Sequence, residues 1–319
     1  MTGKYEVIVR NRRIQYKFVI NRNITILRGD SATGKTTLID MIAAHQVSGL
    51  SSGVEVLCMK KCCVLTAMNW ENALSQIKDS IVFIDEDDDF VKSKEFSQKI
   101  KEADNYYVIA IRNPLSNIPY SINEIYGIKN TSGNRYQGTK RIYSEFYQLY
   151  NKEKFDEMPS PDVCIVEDSN SGYDFFDKVC KEHNIRCISA EGKSNIFDAI
   201  LECDEENIMI IADGAAFGPE IEKVLSLKKI KNLTIFLPES FEWLILKSGL
   251  IEGVGDEIDN PNDYIDSSQY FSWERFFTAL LVDKSKGTYL AYSKKKLNVS
   301  YLQDKEKTRI MKNVKGLDG

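Results

Sequence analysis

Histidine is almost missing from this chain, with His45 and His183 the only two among 319 residues. His45 has no evident nucleophile or base partner and reads as a structural residue. His183 falls in the spacing Cys180-x-x-His183-x-x-x-Cys187, which lacks a fourth ligand, so helix and strand placement explains it more simply than zinc. Cys58, Cys62 and Cys63 likewise have no second Cys/His pair at a usual zinc spacing. The cysteines number seven, an odd count, and lie in or beside apolar segments, which argues against a disulfide framework and for reduced thiols. Prolines are few, and internal repeats and low-complexity segments are absent. No apolar run approaches the ~18 residues of a membrane span. Met1–Glu6 leads straight into an alternating strand pattern instead of a signal peptide, so the expected setting is the cytoplasm.

What is present begins with Gly29-Asp30-Ser31-Ala32-Thr33-Gly34-Lys35-Thr36, which fits G-x-x-x-x-G-K-[ST] residue for residue. Apolar Ile24–Leu27 before it reads as a strand, and the segment from Thr37 to Ala44 as a helix, which is the context a phosphate-binding loop requires. In that role the loop backbone and the helix N-terminus surround the β-phosphate of ATP. Lys35 neutralises β/γ oxygens, the Thr36 hydroxyl ligates Mg²⁺, and Thr37 completes the binding segment. Ile81-Val82-Phe83-Ile84 followed by Asp85-Glu86 is a buried strand ending in two acids. There Asp85 would hold the Mg²⁺ shell and Glu86 would orient or deprotonate the attacking water.

Composition and length point to a globular chain long enough for two domains, and the strand and helix patterns make both of them α/β. Tyr5, Val7 and Val9, then Ile14, Tyr16, Phe18 and Ile20, alternate about Asn11-Arg12-Arg13 and predict a hairpin. The hairpin resembles the entry to ABC-type ATPase domains, and Ile81–Glu86 resembles a Walker B segment. At the end of Tyr106–Ile111, where related ATPases carry a γ-phosphate sensor, stand Arg112 and Asn113, with a turn role before Pro114 as the alternative. Lys35 and Asp85 are 50 positions apart, and nothing between them resembles the ABC signature. The first domain, residues 1–152, is therefore expected to be a reduced P-loop ATPase core of the ABC/AAA kind, with Ile128–Tyr136 forming a hairpin turn and Tyr143–Tyr150 an aromatic helix. A polar, proline-bearing linker spans 153–162.

From 163 to 268 strand and helix alternate four times, predicting a second, parallel-sheet, Rossmann-like domain whose ligands sit past the strand ends. The residues there are Glu167-Asp168, Glu191–Asn195, Asp213-Gly214 and Glu239-Ser240. The arrangement resembles the Toprim fold, with Glu167 as its glutamate and Asp213 as its first aspartate. The resemblance implies Mg²⁺, with Mn²⁺ as an alternative, held by Glu167 and Asp213 for phosphodiester chemistry. The second aspartate of that fold is replaced by Ala215, so Asp168 or Glu239 would have to substitute, or the domain would bind without cutting. Residues 269–319 are expected to form an aromatic and basic helical extension. From Lys284 onward ten Lys or Arg face three acids, a charge that would suit phosphate backbones or serve as a solvated face, although the whole chain carries a net −5.

Together the two halves resemble the overcoming-lysogenisation-defect nucleases of phage and bacterial defence. That resemblance implies an oligomeric ATPase whose nucleotide state controls metal-dependent chemistry, with Glu86, Glu167 and Asp213 catalytic. Two other functions fit the same residues: an ATP-driven switch whose second domain docks a partner protein, and a small-molecule phosphotransferase. A nucleotide kinase would want an arginine-rich lid, and none is evident.

Overall fold

The computed structural model describes residues 1–29, 33–86, 88–131, 141–150 and 160–317. It is an α/β protein of two compact units, Met1–Tyr150 with Asn262–Phe271, and Asn151–Pro261 with Ser272–Gly319. The segment Asn262–Phe271 thus belongs with the first unit, where Asn262 accepts from the Gly3 N–H at 2.7 Å and the Phe271 carbonyl accepts from Asn23 Nδ2 at 2.7 Å. Neither contact is visible in the local sequence pattern. Residues 153–159 of the expected linker lie outside the described residues.

Among the described residues the first unit contains one mixed sheet of nine strands. They are β1 (Tyr5–Arg10), β2 (Ile14–Ile20), β3 (Ile24–Leu27), β4 (Glu55–Leu57), β5 (Lys61–Val64), β6 (Ser80–Ile84), β7 (Tyr106–Ala110), β8 (Ile125–Asn130) and β9 (Ile142–Gln148). The hairpin forms in register, Tyr5 opposite Ile20 and Val9 opposite Tyr16, with Tyr5, Val7 and Val9 turned into the core. Helices α1 (Lys35–Ser48), α2 (Trp70–Gln76) and α3 (Lys94–Glu102) accompany the sheet.

The strand order β4-β1-β2-β9-β8-β3-β7-β6-β5 puts β4 and β5 at opposite edges, yet only Cys58-Met59-Lys60 separates Leu57 from Lys61. Eight strand spacings of ~4.8 Å would part the edges of a flat sheet by roughly 38 Å, while so short a link spans at most about 14 Å. The sheet must therefore curl. It does so around α1, which packs against β1, β4 and β5, and whose Leu38, Ile39, Met41 and Ile42 join the core with Val7, Phe18, Phe83 and Val108.

The segment expected to be an aromatic helix is strand β9. Its apolar residues at 142, 143, 146 and 147 mimic helical spacing, but β2 and β8 each offer a free edge, and β9 pairs parallel to the first and antiparallel to the second. Phe146 then stacks on Phe18 with ring centroids 4.0 Å apart. β8 and β9 make the expected hairpin, whose turn lies outside the described residues.

The second unit holds a wholly parallel sheet of four strands among the described residues, in the order β11-β10-β12-β13. The strands are β10 (Val163–Val166), β11 (Arg186–Ser189), β12 (Asn207–Ile211) and β13 (Asn232–Phe236), alternating with α4 (Ser171–Glu182), α5 (Ile196–Leu201), α6 (Ile221–Ser226) and α7 (Phe241–Lys247). Every residue of β10 is buried, and so are four of the five in β12, as expected for central strands of a parallel sheet. Three helices follow: α8 (Gly255–Asp259), α9 (Trp273–Ser285) and α10 (Asp304–Met311). On α9 the aromatic residues Trp273, Phe276 and Phe277 are buried, so their spacing serves packing. All seven cysteines are free thiols.

Candidate functional sites

The first site is assembled at the ends of three parallel strands. β7 lies between β3 and β6, with Ile26 and Ile84 both opposite Ile109. Two or three residues beyond that row come Gly29, Arg112 and Glu86, so strand register alone delivers a loop, a cation and an acid to one edge. Gly29 and Gly34 have φ of 147° and 95°, conformations that favour glycine, and Gly34 caps α1. A methyl on Gly34 would also come within 2.8 Å of the Tyr16 hydroxyl, which donates to the Gly34 carbonyl at 3.0 Å.

Lys35 is buried, with 4% exposure. Its Nζ donates to the Gly29 carbonyl at 2.5 Å and lies 3.6 Å from Glu86 Oε2. Arg112 Nε and Nη2 donate to Glu86 Oε1 at 3.0 and 2.7 Å. The Arg112 hydrogen bonds, opposed by burial and aided by Lys35, hold the Glu86 carboxyl below the usual range. Glu86 Oε2 is buried, and among the described residues it has no hydrogen-bond partner. Asp85, half-buried, accepts from the Glu86 N–H at 2.8 Å.

These features fit a nucleotide phosphate with a divalent ion. α1 opens with no acidic side chain in its first turn, so its positive end is not neutralised, and Thr36 and Thr37 are exposed there. Asp30, Ser31 and Ala32 lie outside the described residues, while Thr33 begins the described approach to the helix.

The second site forms where β10 and β12 end side by side, with Val166 opposite Ile211. Glu167 Oε2 accepts from the Asp213 N–H at 2.9 Å, and the Glu167 N–H donates to the Ile211 carbonyl at 2.8 Å. Glu167 and Asp213 therefore lie side by side at the strand ends. Asp168 is committed elsewhere: its Oδ1 accepts from the N–H groups of Ser169 and Asn170 at 2.8 and 3.1 Å, and its Oδ2 from that of Gly172 at 2.7 Å. It caps the start of α4.

Ala215 is buried, and the preceding glycine explains the local sequence. A methyl on Gly214 would sit 2.7 Å from the Leu237 carbonyl oxygen and 2.9 Å from that of Pro238. Gly214→Ala is accordingly expected to destabilise the second unit by about 2 kcal/mol, because backbone cannot yield as a side chain would. A urea midpoint unchanged from the parent would show that this turn is looser than the structure has it.

Three residues that the sequence reading passed over complete the rim. A cavity of about 180 Å³ is lined by Glu167 and Asp213 together with Glu242 of α7, Glu274 of α9 and Lys294. Lys294 Nζ meets Glu274 Oε1 at 2.5 Å, and Glu242 Oε1 accepts from the Tyr292 hydroxyl at 2.9 Å. Burial, then the charges of Glu274, Glu167 and Glu242, push the Asp213 carboxyl well above its usual pKa. Burial also pushes Glu167 up to about 7, against the Asp213 N–H and Lys193. Glu242 and Glu274 each stand in the first turn of a helix, where an acid is ordinary, so nothing local marked them as site residues.

Carboxylate oxygens suit Mg²⁺ or Mn²⁺, and Mg²⁺ needs only one or two of them because it keeps several waters. Among the described residues, however, no three His, Cys, Asp or Glu side chains converge on a metal position. Of the acids expected to take metal, Glu167, Asp168 and Asp213 all line this cavity, with both Asp168 oxygens accepting from the N–H groups at the start of α4.

No family model and no curated protein matches this chain. Among the described residues no helix is long and apolar enough to cross a membrane.

Proposed function

We propose that the first unit is a P-loop ATPase. The observation that carries this reading is the chain of contacts from Gly29 through Lys35 and Glu86 to Arg112, which joins a G-x-x-x-x-G-K-T loop to the acid at the end of a buried strand. ATP with Mg²⁺ supplies the phosphoanhydride and the charge neutralisation that ease its cleavage. Lys35 would bind β/γ oxygens, and Thr36 with Asp85 would hold the ion. Glu86, kept ionised by Arg112, would accept the proton of the attacking water, and Arg112 would supply positive charge for the γ-phosphate.

Glu86→Gln tests this assignment. The amide keeps shape and some hydrogen bonding but cannot act as a base, so ATP affinity should stay within about threefold while turnover falls roughly 100-fold or more. Turnover at the parent rate would remove Glu86 from the chemistry.

For the second unit the reading is a Toprim-like cation site acting on nucleic acid, under the control of nucleotide state in the first. Its support is the pairing of Glu167 with Asp213 at the ends of adjacent parallel strands. A non-cutting switch that docks a partner is the second reading, favoured by Ala215, the capping role of Asp168 and the Lys294–Glu274 pair inside the cavity. Cleavage of labelled DNA and RNA by the full chain, with Mg²⁺ or Mn²⁺ and with or without ATP, separates them. Cleavage that Asp213→Asn abolishes supports the first, and its absence in every combination supports the switch.

A further inference from the structure

The hairpin turn that opens the chain carries a cluster of one residue type with no place in the ATP site. Arg10 at the end of β1, Arg12 in the turn and Arg141 just before β9 line a recess of about 330 Å³ with Asn11, Gly53 and Glu55. The chain has 11 arginines among its 42 basic residues, yet three of them meet here and no lysine lines the recess. Like charges converge at a cost unless something neutralises them. Glu55 answers only one, its Oε2 taking Arg10 Nε at 2.6 Å, and Arg141 adds to the field on that carboxylate.

Among the described residues neither Arg12 nor Arg141 makes a hydrogen bond or a salt bridge, and Arg12 is exposed. Gly53, at φ 72°, has nothing within 4 Å of where a methyl would stand, so this wall is open. Asn11 Nδ2 lies 3.9 Å from Met41 Sδ, which is seven residues into α1 from Gly34, or about 10 Å along the helix from the phosphate loop. The recess is therefore separate from the ATP site.

We infer that this recess is a receptor for a phosphate monoester. Three guanidiniums against one carboxylate leave two positive charges, matching a dianion better than the single charge of a carboxylate or an internal phosphodiester. Arginine forks also pair with phosphate oxygens in a bidentate way that lysine cannot. The monoester could belong to a small nucleotide or to the 5′ end of a nucleic-acid strand. The inference does not depend on the ATPase reading. Because a monoester loses its second proton near pH ~6, binding should strengthen as pH rises from about 5 to about 7.

Calorimetric titration of the full chain tests it in a Lys35→Ala background, which weakens any phosphate binding at the loop. The probes are inorganic phosphate, a nucleoside monophosphate, and one oligonucleotide carrying a 5′-phosphate or a 5′-hydroxyl. The Lys35→Ala chain should bind the phosphate probes at one site, and adding Arg12→Ala with Arg141→Ala should weaken that at least tenfold. Arg12→Lys with Arg141→Lys, which keeps charge and loses the forks, should fall between. Tighter binding of the 5′-phosphorylated strand than of the monophosphate assigns the ligand to a strand end, and equal binding assigns a small molecule. ATP binding by the arginine double variant with Lys35 intact should match the parent, so failure here and failure of the ATP site are read separately. Undiminished phosphate binding in a natively folded arginine double variant, or no binding in its Lys35→Ala parent, would overturn the inference.

Discussion

Lys35→Ala is expected to remove ATP binding, with affinity falling roughly 100-fold or more, about 3 kcal/mol. The reason is positional as well as electrostatic. The ammonium is buried at 4% exposure, bridges back to the Gly29 carbonyl and sits 3.6 Å from Glu86, so no exposed neighbour can replace it. Its loss also leaves Glu86 with Arg112 as its remaining cation at this edge among the described residues. A fluorescent ATP analogue titrated into folded Lys35→Ala gives the answer, and parent-like affinity would mean that Gly29–Thr36 is a glycine turn and not a phosphate loop.

The second large effect is on stability and has the opposite sign to most substitutions. Glu167 titrates near 4.5 as an ordinary side chain and at about 7 in the fold, chiefly through burial. Between those values the folded chain holds a proton that the unfolded chain has released. Raising pH across that window therefore favours unfolding, and the loss is complete above about 7. Asp213 is shifted in the same direction and adds to it. Glu167→Gln should consequently raise stability at pH 8 by roughly 2 kcal/mol and change little at pH 4. Mn²⁺ should raise the melting temperature of the parent at pH 8 but not that of the variant. A variant less stable than the parent at pH 8 would show that the rim carboxylates are comfortably solvated, and the case for a cation there would go with it.

How much of this was legible depended on whether the determining contacts were local. The phosphate loop was readable because its strand, its two glycines and its lysine fall within a dozen residues, and the structure gives both glycines the positive φ that the motif implies. The alternation in the second unit was equally plain, since each strand there is a short apolar run closed by a polar turn. In β9 the spacing of Tyr143, Phe146 and Tyr147 fits a helical face, and only pairing with β2 and β8 decides for a strand. The return of Asn262–Phe271 to the first unit rests on contacts with Gly3 and Asn23, more than 240 positions away. Glu242 and Glu274 reach the rim through the packing of α7 and α9, and Lys294 through its pair with Glu274, none of which a spacing encodes. Arg112 was singled out for its place after a strand, whereas its bond to Glu86 emerges from β7 lying between β3 and β6.

The proposed ATPase holds ATP through Lys35 and hydrolyses it through Glu86. The most direct measurement is phosphate release from ATP by the full chain with Mg²⁺, run beside equilibrium binding on the same preparation. Turnover and one bound nucleotide per chain are expected in the parent, binding without turnover in Glu86→Gln, and neither in Lys35→Ala. A parent chain that binds no ATP at millimolar concentration, or a Lys35→Ala chain that hydrolyses it at the parent rate, would contradict it.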